Sequence, residues 1–131
     1  MVKSNLDDPF YQQELNRLTE GADMLVARND YQFVTDKTQL PPSGDNHDYM
    51  SIARYLWPDA SGAYTINRGD GITNPEIYNY DRPRLADISS AIYTLSLAWY
   101  FSNNEEYARK ASELIHGWFL DETTRMNPNM N

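Results

Sequence analysis

Residues 83–120 read PRLADISSAIYTLSLAWYFSNNEEYARKASELIHGWFL, and this stretch decides the fold class. Leu85, Ile88, Ile92, Leu95 and Trp99 recur at helical spacing, and Ala91, Leu97, Ala98 and Phe101 widen the stripe. So broad an apolar face predicts a helix from about Pro83 to Ser102 that is covered on more than one side. Tyr107, Ala111, Leu114, Ile115 and Trp118 repeat the pattern over about Asn104 to Leu120. Asn103 or Asn104 supplies its N-cap, and Glu105 and Glu106 sit where the helix dipole favours acids. The connection between the two helices is so short that they fold back as an antiparallel hairpin.

Upstream, Asp8 and Pro9 make a helix start, with Pro9 at the first position, where its missing N–H is harmless. Tyr11, Leu15, Leu18, Ala22 and Leu25 form one stripe, so a first helix runs from about Pro9 to Arg28. Between the helices lies a segment, 29–82, with no strong period. It holds Pro41, Pro42, Pro58 and Pro75, the glycines Gly44, Gly62, Gly69 and Gly71, and eight aromatic residues. A structureless stretch of that length in a compact domain is usually functional or disordered. Its aromatic content favours order. The expected fold class is all-α, in one domain over 1–131: helix 9–28, long aromatic-rich loop 29–82, helical hairpin 83–120.

The chain has 131 residues, a net charge of −8 and no cysteine. The length suits one domain with a core of its own. The charge is spread at −2, −3 and −3 over residues 1–28, 29–84 and 85–131. No basic stripe exists for nucleic acid or an anionic membrane surface, and no apolar run is long enough to span a bilayer. Disulfides, thiolate metal sites and thiol nucleophiles are excluded. The N-terminus MVKSNLDDPFYQQEL lacks a signal peptide's apolar core, so the chain, taken as complete, is expected in the cytoplasm.

Three groups in the long segment carry chemistry. Gly44-Asp45-Asn46-His47-Asp48-Tyr49 gathers a His, two carboxylates, an amide and a phenol behind a glycine turn. They could act as general acid and base. They could equally close Asx-turns, with His47 bonded locally. No standard metal-ligand spacing is present, and no metal or cofactor is expected. Tyr49, Tyr55, Trp57 and Tyr64 could stack on sugar C–H faces or anchor the loop on the helices. Lys37, Arg54, Arg68, Arg82 and Arg84 could hold carboxylates of a ligand or pair with the local acids. Arg68-Gly69-Asp70 is an adhesion tripeptide too short to count. Residues 70–76, DGITNPE, lack the alternating oxygen ligands of a calcium loop. Residues 125–131, RMNPNMN, read as an ordered loop leaving the third helix.

Residues 40–51, LPPSGDNHDYMS, resemble a signature of the alginate lyase domain superfamily of polysaccharide lyases. Further blocks follow in order: YLWPD at 55–59, DGITNPE at 70–76, WFLD at 118–121 and TRMNP at 124–128. The resemblance spans about Phe33 to Asn131, with Leu56 standing where these proteins often carry a second Trp. It implies a partial (α/α) toroid of antiparallel helix hairpins and β-elimination on a uronate-containing, acidic polysaccharide. By their place in the signature, His47, Tyr49, Tyr55, Trp57 and Arg68 are the expected substrate contacts. The family's catalytic Asn-His pair, Arg and Tyr lie on later hairpins, and no residue here matches them. A full toroid of about twelve helices needs roughly three hundred residues at ordinary helix lengths. The chain is therefore expected to be an N-terminal part of such a lyase, weak or inactive alone, and to self-associate through apolar helix faces. Relatives with this chemistry are usually exported to the periplasm. Two other readings stay open: a non-catalytic carbohydrate-binding or interaction module, and a toroid glycosidase, for which no paired carboxylates can be singled out.

Overall fold

The computed structural model describes residues 5–61, 63–66 and 71–128. Three helices carry it: α1 (Pro9–Ala27), α2 (Asp81–Ser102) and α3 (Glu105–Phe119). At the start of α1 the Asp8 carboxylate accepts the Phe10 N–H at 2.8 Å, and Pro9 occupies the first turn. α2 begins two residues earlier than the sequence pattern predicts, because Pro83 is tolerated inside a first turn. It ends at Asn103, which takes the left-handed conformation (φ 58°) open to Asn. Asn104 then caps α3 by accepting the Glu106 N–H at 3.1 Å. These two adjacent asparagines turn the chain through the hairpin, and α2 packs against both α3 and α1.

The core sits among the three helices. Ala22, Ala91, Ala98 and Ala111 interleave with Ile88, Leu95, Leu114 and Trp118, small against large. Val34 and Tyr49 enter the same core from the long segment. Two residues of the predicted stripes are exposed instead. Trp99 is 42% exposed, its Nε1 donating to Glu105 at 3.3 Å, and Ile115 is 39% exposed. The buried line of α2 runs through Ile88, Ala91, Leu95 and Ala98, which leaves Trp99 on its edge. On α3, Gly117 is buried because the Phe33 ring lies where its side chain would be. Among the described residues, no helix is long and apolar enough to cross a membrane.

The all-helical expectation needs a small correction. Residues 29–80 contain two 3-10 turns, Val34–Asp36 and Pro75–Asn79, and a short antiparallel ribbon of β1 (Trp57–Pro58) and β2 (Tyr64–Thr65). Trp57 pairs with Thr65 and Pro58 with Tyr64. The ribbon's turn is closed by Asp59, whose Oδ1 accepts from Ser61 N at 2.8 Å and Ala63 N at 3.1 Å. Strands of two residues leave no alternation to read, which is why the pattern missed them.

Candidate functional site

The long segment is held to the helices by buried polar groups. The Lys37 ammonium has no exposed surface and meets Asp81 Oδ2 at 3.0 Å, also fully buried. It lies within bonding distance of the carbonyls of Val34 (2.8 Å), Asn46 (2.6 Å) and Asp48 (2.8 Å). Asp81 Oδ2 also accepts the Met50 N–H at 2.8 Å, while the Asp81 N–H donates to Met50 O at 3.0 Å. One ion pair thus joins the first 3-10 turn, the His47 loop and the first residue of α2. Of the two readings of Lys37, structural pairing is the one the structure shows.

A second anchor fixes the His47 loop from the far end of the chain. Gly44 turns the loop at φ 77°, and Asp45 Oδ1 closes an Asx-turn on His47 N at 2.9 Å. Asn127 Nδ2 donates to Asp48 Oδ1 at 2.7 Å and to Asp45 Oδ2 at 3.1 Å, and Asn127 N donates to His47 O at 2.9 Å. Ser43 Oγ donates to the other oxygen of Asp48 at 2.7 Å. The His47 ring bonds across the chain rather than locally. Its Nδ1 lies 2.7 Å from Arg125 O. A carbonyl only accepts, so Nδ1 carries the hydrogen, and Nε2 of the neutral ring keeps a lone pair. The loop expected to leave the third helix is ordered through Pro128, and its task is this clamp; Asn129, Met130 and Asn131 lie outside the described residues.

A third anchor holds the aromatic ribbon. Asn74 is fully buried, and its Nδ2 donates to Leu56 O at 2.9 Å. Its Oδ1 caps the second 3-10 turn by accepting Glu76 N at 2.9 Å, and its own N–H donates to Arg54 O at 2.8 Å. Asn74 thereby staples residues 54–56 onto the turn before α2, a structural role for the stretch compared above with a calcium loop.

The expected substrate contacts divide between these anchors. His47 belongs to the clamp of Asn127, with Tyr49 just beyond it, while Trp57 lies on the ribbon and Tyr55 in the stretch leading into it that Asn74 holds. Tyr49 is 8% exposed and packs in the core, while Tyr55 is exposed and Trp57 half-buried. Arg68 lies outside the described residues. Beside the ribbon, Arg54, Arg82 and Tyr78 line a cavity of about 120 Å³ with Ile77, Pro83 and Ala86. On the other side of Tyr78 and Pro83 a larger hollow of about 410 Å³ is lined by Arg28, Asp30, Gln32, Arg84 and Asp87. Arg28 there forks onto both oxygens of Asp87, at 2.9 and 2.7 Å. Hydrogen bonds to Asp87 and Asp30 push its pKa up, and Arg28 in turn holds the Asp30 carboxyl below its usual range. Burial pushes the Tyr80 phenol up, with Tyr64 and Glu76 adding to the effect. Among the described residues, no three His, Asp or Glu side chains are placed to hold a metal ion.

Sequence reasoning missed Asn74 and Asn127 as organising residues. Both stand inside the signature blocks, but a single amide gives no periodic signal, and its partners lie 18 and 79 residues away.

Comparison with known proteins supplies the class, a polysaccharide lyase-like domain. A family model described as Alginate lyase matches residues 33–131. The chain belongs to the alginate lyase family. It is similar to the crystal structure of an alginate lyase from Bacteroides ovatus, at 44% identity and a TM-score of 0.86. That match covers 97% of this chain and 34% of the other, so the chain spans about a third of the solved protein's length. Comparison with curated proteins gives no match.

Proposed function

We propose that this chain forms the substrate-holding first part of an (α/α) toroid lyase that cleaves a uronate-containing polysaccharide by β-elimination. The observation that carries the reading is the family match over residues 33–131, whose signature blocks at 40–51 and 124–128 meet in one clamp. In β-elimination, an electrophile neutralises the C5 carboxylate and a base removes the C5 proton. The C4–O4 bond then breaks as the C4=C5 bond forms, and an acid protonates O4. In this reading the ribbon and the residues leading into it lend the faces of Trp57 and Tyr55 to sugar rings, and Arg68 adds a cation. His47 presents Nε2 as a hydrogen-bond acceptor for a sugar hydroxyl. Tyr49, mostly buried, holds the loop in place. The residues that move protons belong to later hairpins of the toroid.

The test is to mix the purified chain with alginate and with glucuronan. Calorimetry reads binding, and ultraviolet absorbance reads unsaturated uronate ends. Binding without new unsaturated ends is expected. Rapid formation of such ends by this chain alone would overturn the division of labour. Absence of binding to every polyuronate would overturn the substrate reading.

A further inference from the structure

We infer that Arg54 and Arg82 form a carboxylate-binding subsite, with Tyr78 as the platform for the sugar ring that bears the carboxylate. The sugar part rests on the function proposed above; the carboxylate part rests on the cavity itself.

A chain of net charge −8 repels a polyanion at long range, so a carboxylate can be held only where local cations are left unneutralised. Most cations here are committed. Arg17, Arg28, Lys37, Arg109 and Lys110 each meet a carboxylate. Arg54, Arg82, Arg84 and Arg125 meet none among the described residues, although acids outnumber bases 19 to 11 in the sequence. Of these, Arg54 and Arg82 line one cavity, and no acid lines it with them. The adjoining hollow differs: Asp30 and Asp87 stand in its wall and neutralise Arg28, and the remaining cation there, Arg84, donates Nη1 to Tyr80 O at 2.7 Å. An anion is therefore directed to the Arg54 side of Tyr78. Arg82 is the second residue of α2, so the positive end of that helix adds to the attraction.

Size and shape fit the same ligand. The cavity, about 120 Å³, is smaller than the roughly 300–1,000 Å³ of sites that engulf a small molecule. It accepts a terminal group and leaves the ring outside. Tyr78 is 67% exposed and lines the cavity, so its face is available to the C–H groups of that ring. Two guanidiniums offer a planar carboxylate paired N–H donors, which a neutral sugar cannot use as fully.

The experiment is an NMR titration of the arginine Nε–H signals in the intact chain. Arg54→Lys and Arg82→Lys assign the two signals. The ligands are glucuronate and, as the neutral control, glucose. Saturable shifts at Arg54 and Arg82 with glucuronate, and none with glucose, are expected. Unmoved signals, or equal movement with glucose, would overturn the subsite. In parallel, Arg54→Gln/Arg82→Gln is expected to weaken polyuronate binding about tenfold or more, the loss of one charge-assisted pair, with the melting temperature unchanged. If the wild type binds polyuronate, the signals do not move and the double variant binds equally well, the subsite falls alone. If glucuronate moves the signals but no polyuronate binds, the subsite stands and the proposed lyase role falls.

Discussion

The hairpin of α2 and α3 and the long segment before it are both ordered, but by opposite means. The hairpin buries Ile88, Leu95, Leu114 and Trp118, apolar side chains three or four residues apart on their own helices. The segment buries Lys37, Asp48 and Asn74, and pairs Lys37 with Asp81 at the start of α2. Its apolar contribution to the main core is small, chiefly Val34 and Tyr49. One region is held by many weak, interchangeable contacts; the other has only a small apolar cluster of its own, Ile52, Ile77 and Tyr80, and depends besides on a few polar groups with fixed partners. The second kind of order fails abruptly when one partner is removed.

The sharpest way to break the contrast is Lys37→Ala. It strands the Asp81 carboxylate, and breaking a buried pair from one side costs about 3–5 kcal/mol. Three carbonyls would lose a donor as well. A urea midpoint that moved by less than about 1 kcal/mol equivalent would refute the account of the segment. The double change Lys37→Met/Asp81→Leu sharpens the point. It removes both charges and should recover part of the loss, but not the part owed to the carbonyls.

Gly117→Ala tests the seam where the two regions touch. Helix propensity alone favours alanine by about 1 kcal/mol. Yet a Cβ on Gly117 overlaps the Phe33 ring, and overpacking of this kind costs roughly 1–3 kcal/mol. Net destabilisation in thermal melts is therefore expected, and a stabilised variant would show that Phe33 yields freely.

Asn127→Ala attacks the clamp without touching the hairpin. Asp45, Asp48 and His47 O each lose or weaken a partner, at about 1–3 kcal/mol for the group left unsatisfied. The loss should be local: faster amide hydrogen exchange over residues 43–49, with α2 and α3 protected as before. Uniform acceleration across the chain would mean that the clamp and the hairpin unfold as one unit.

The same division explains what could be read from the sequence. All three helices were legible because their apolar spacing is written in neighbouring residues, and the caps Asp8 and Asn104 stand where local chemistry puts them. The ribbon and the anchors were not legible from the residues themselves. His47 finds Arg125 across 78 positions, and Lys37 finds Asp81 with no intervening period to announce it. Their blocks were noticeable through family resemblance, which marks that a loop is special without saying what it touches. Arg54, Arg82 and Tyr78 were visible as a loose set of cations and aromatics. Only the fold shows that these three share one cavity.

Alkaline pH separates the regions more gently. Burial pushes the Tyr107 phenol up, and its hydrogen bond to Asp23 at 2.7 Å pushes the same way. Tyr31 is also raised by burial. The folded state therefore keeps these protons where the unfolded chain gives them up. Their contribution is full below the ordinary tyrosine pKa of about 10 and is lost as pH rises through the folded value. Urea midpoints should fall above about pH 10, and Tyr107→Phe should make that fall shallower. At neutral pH the same variant should lose roughly 1 kcal/mol for the missing bond that ties α1 to α3.

The smallest effect, and the only one of opposite sign, is expected at Gly21. It lies inside α1, and a Cβ there meets nothing within 4 Å. Gly21→Ala keeps the helical backbone and removes freedom from the unfolded chain, so a gain of about 0.4–1 kcal/mol should follow. Gly21 and Gly117 are both helical glycines, and propensity treats them alike. Opposite signs in one melting series would show that the Phe33 contact, not the glycine backbone, decides the outcome at Gly117. Equal signs would mean that the long segment rests on the helices too loosely to resist a single methyl group.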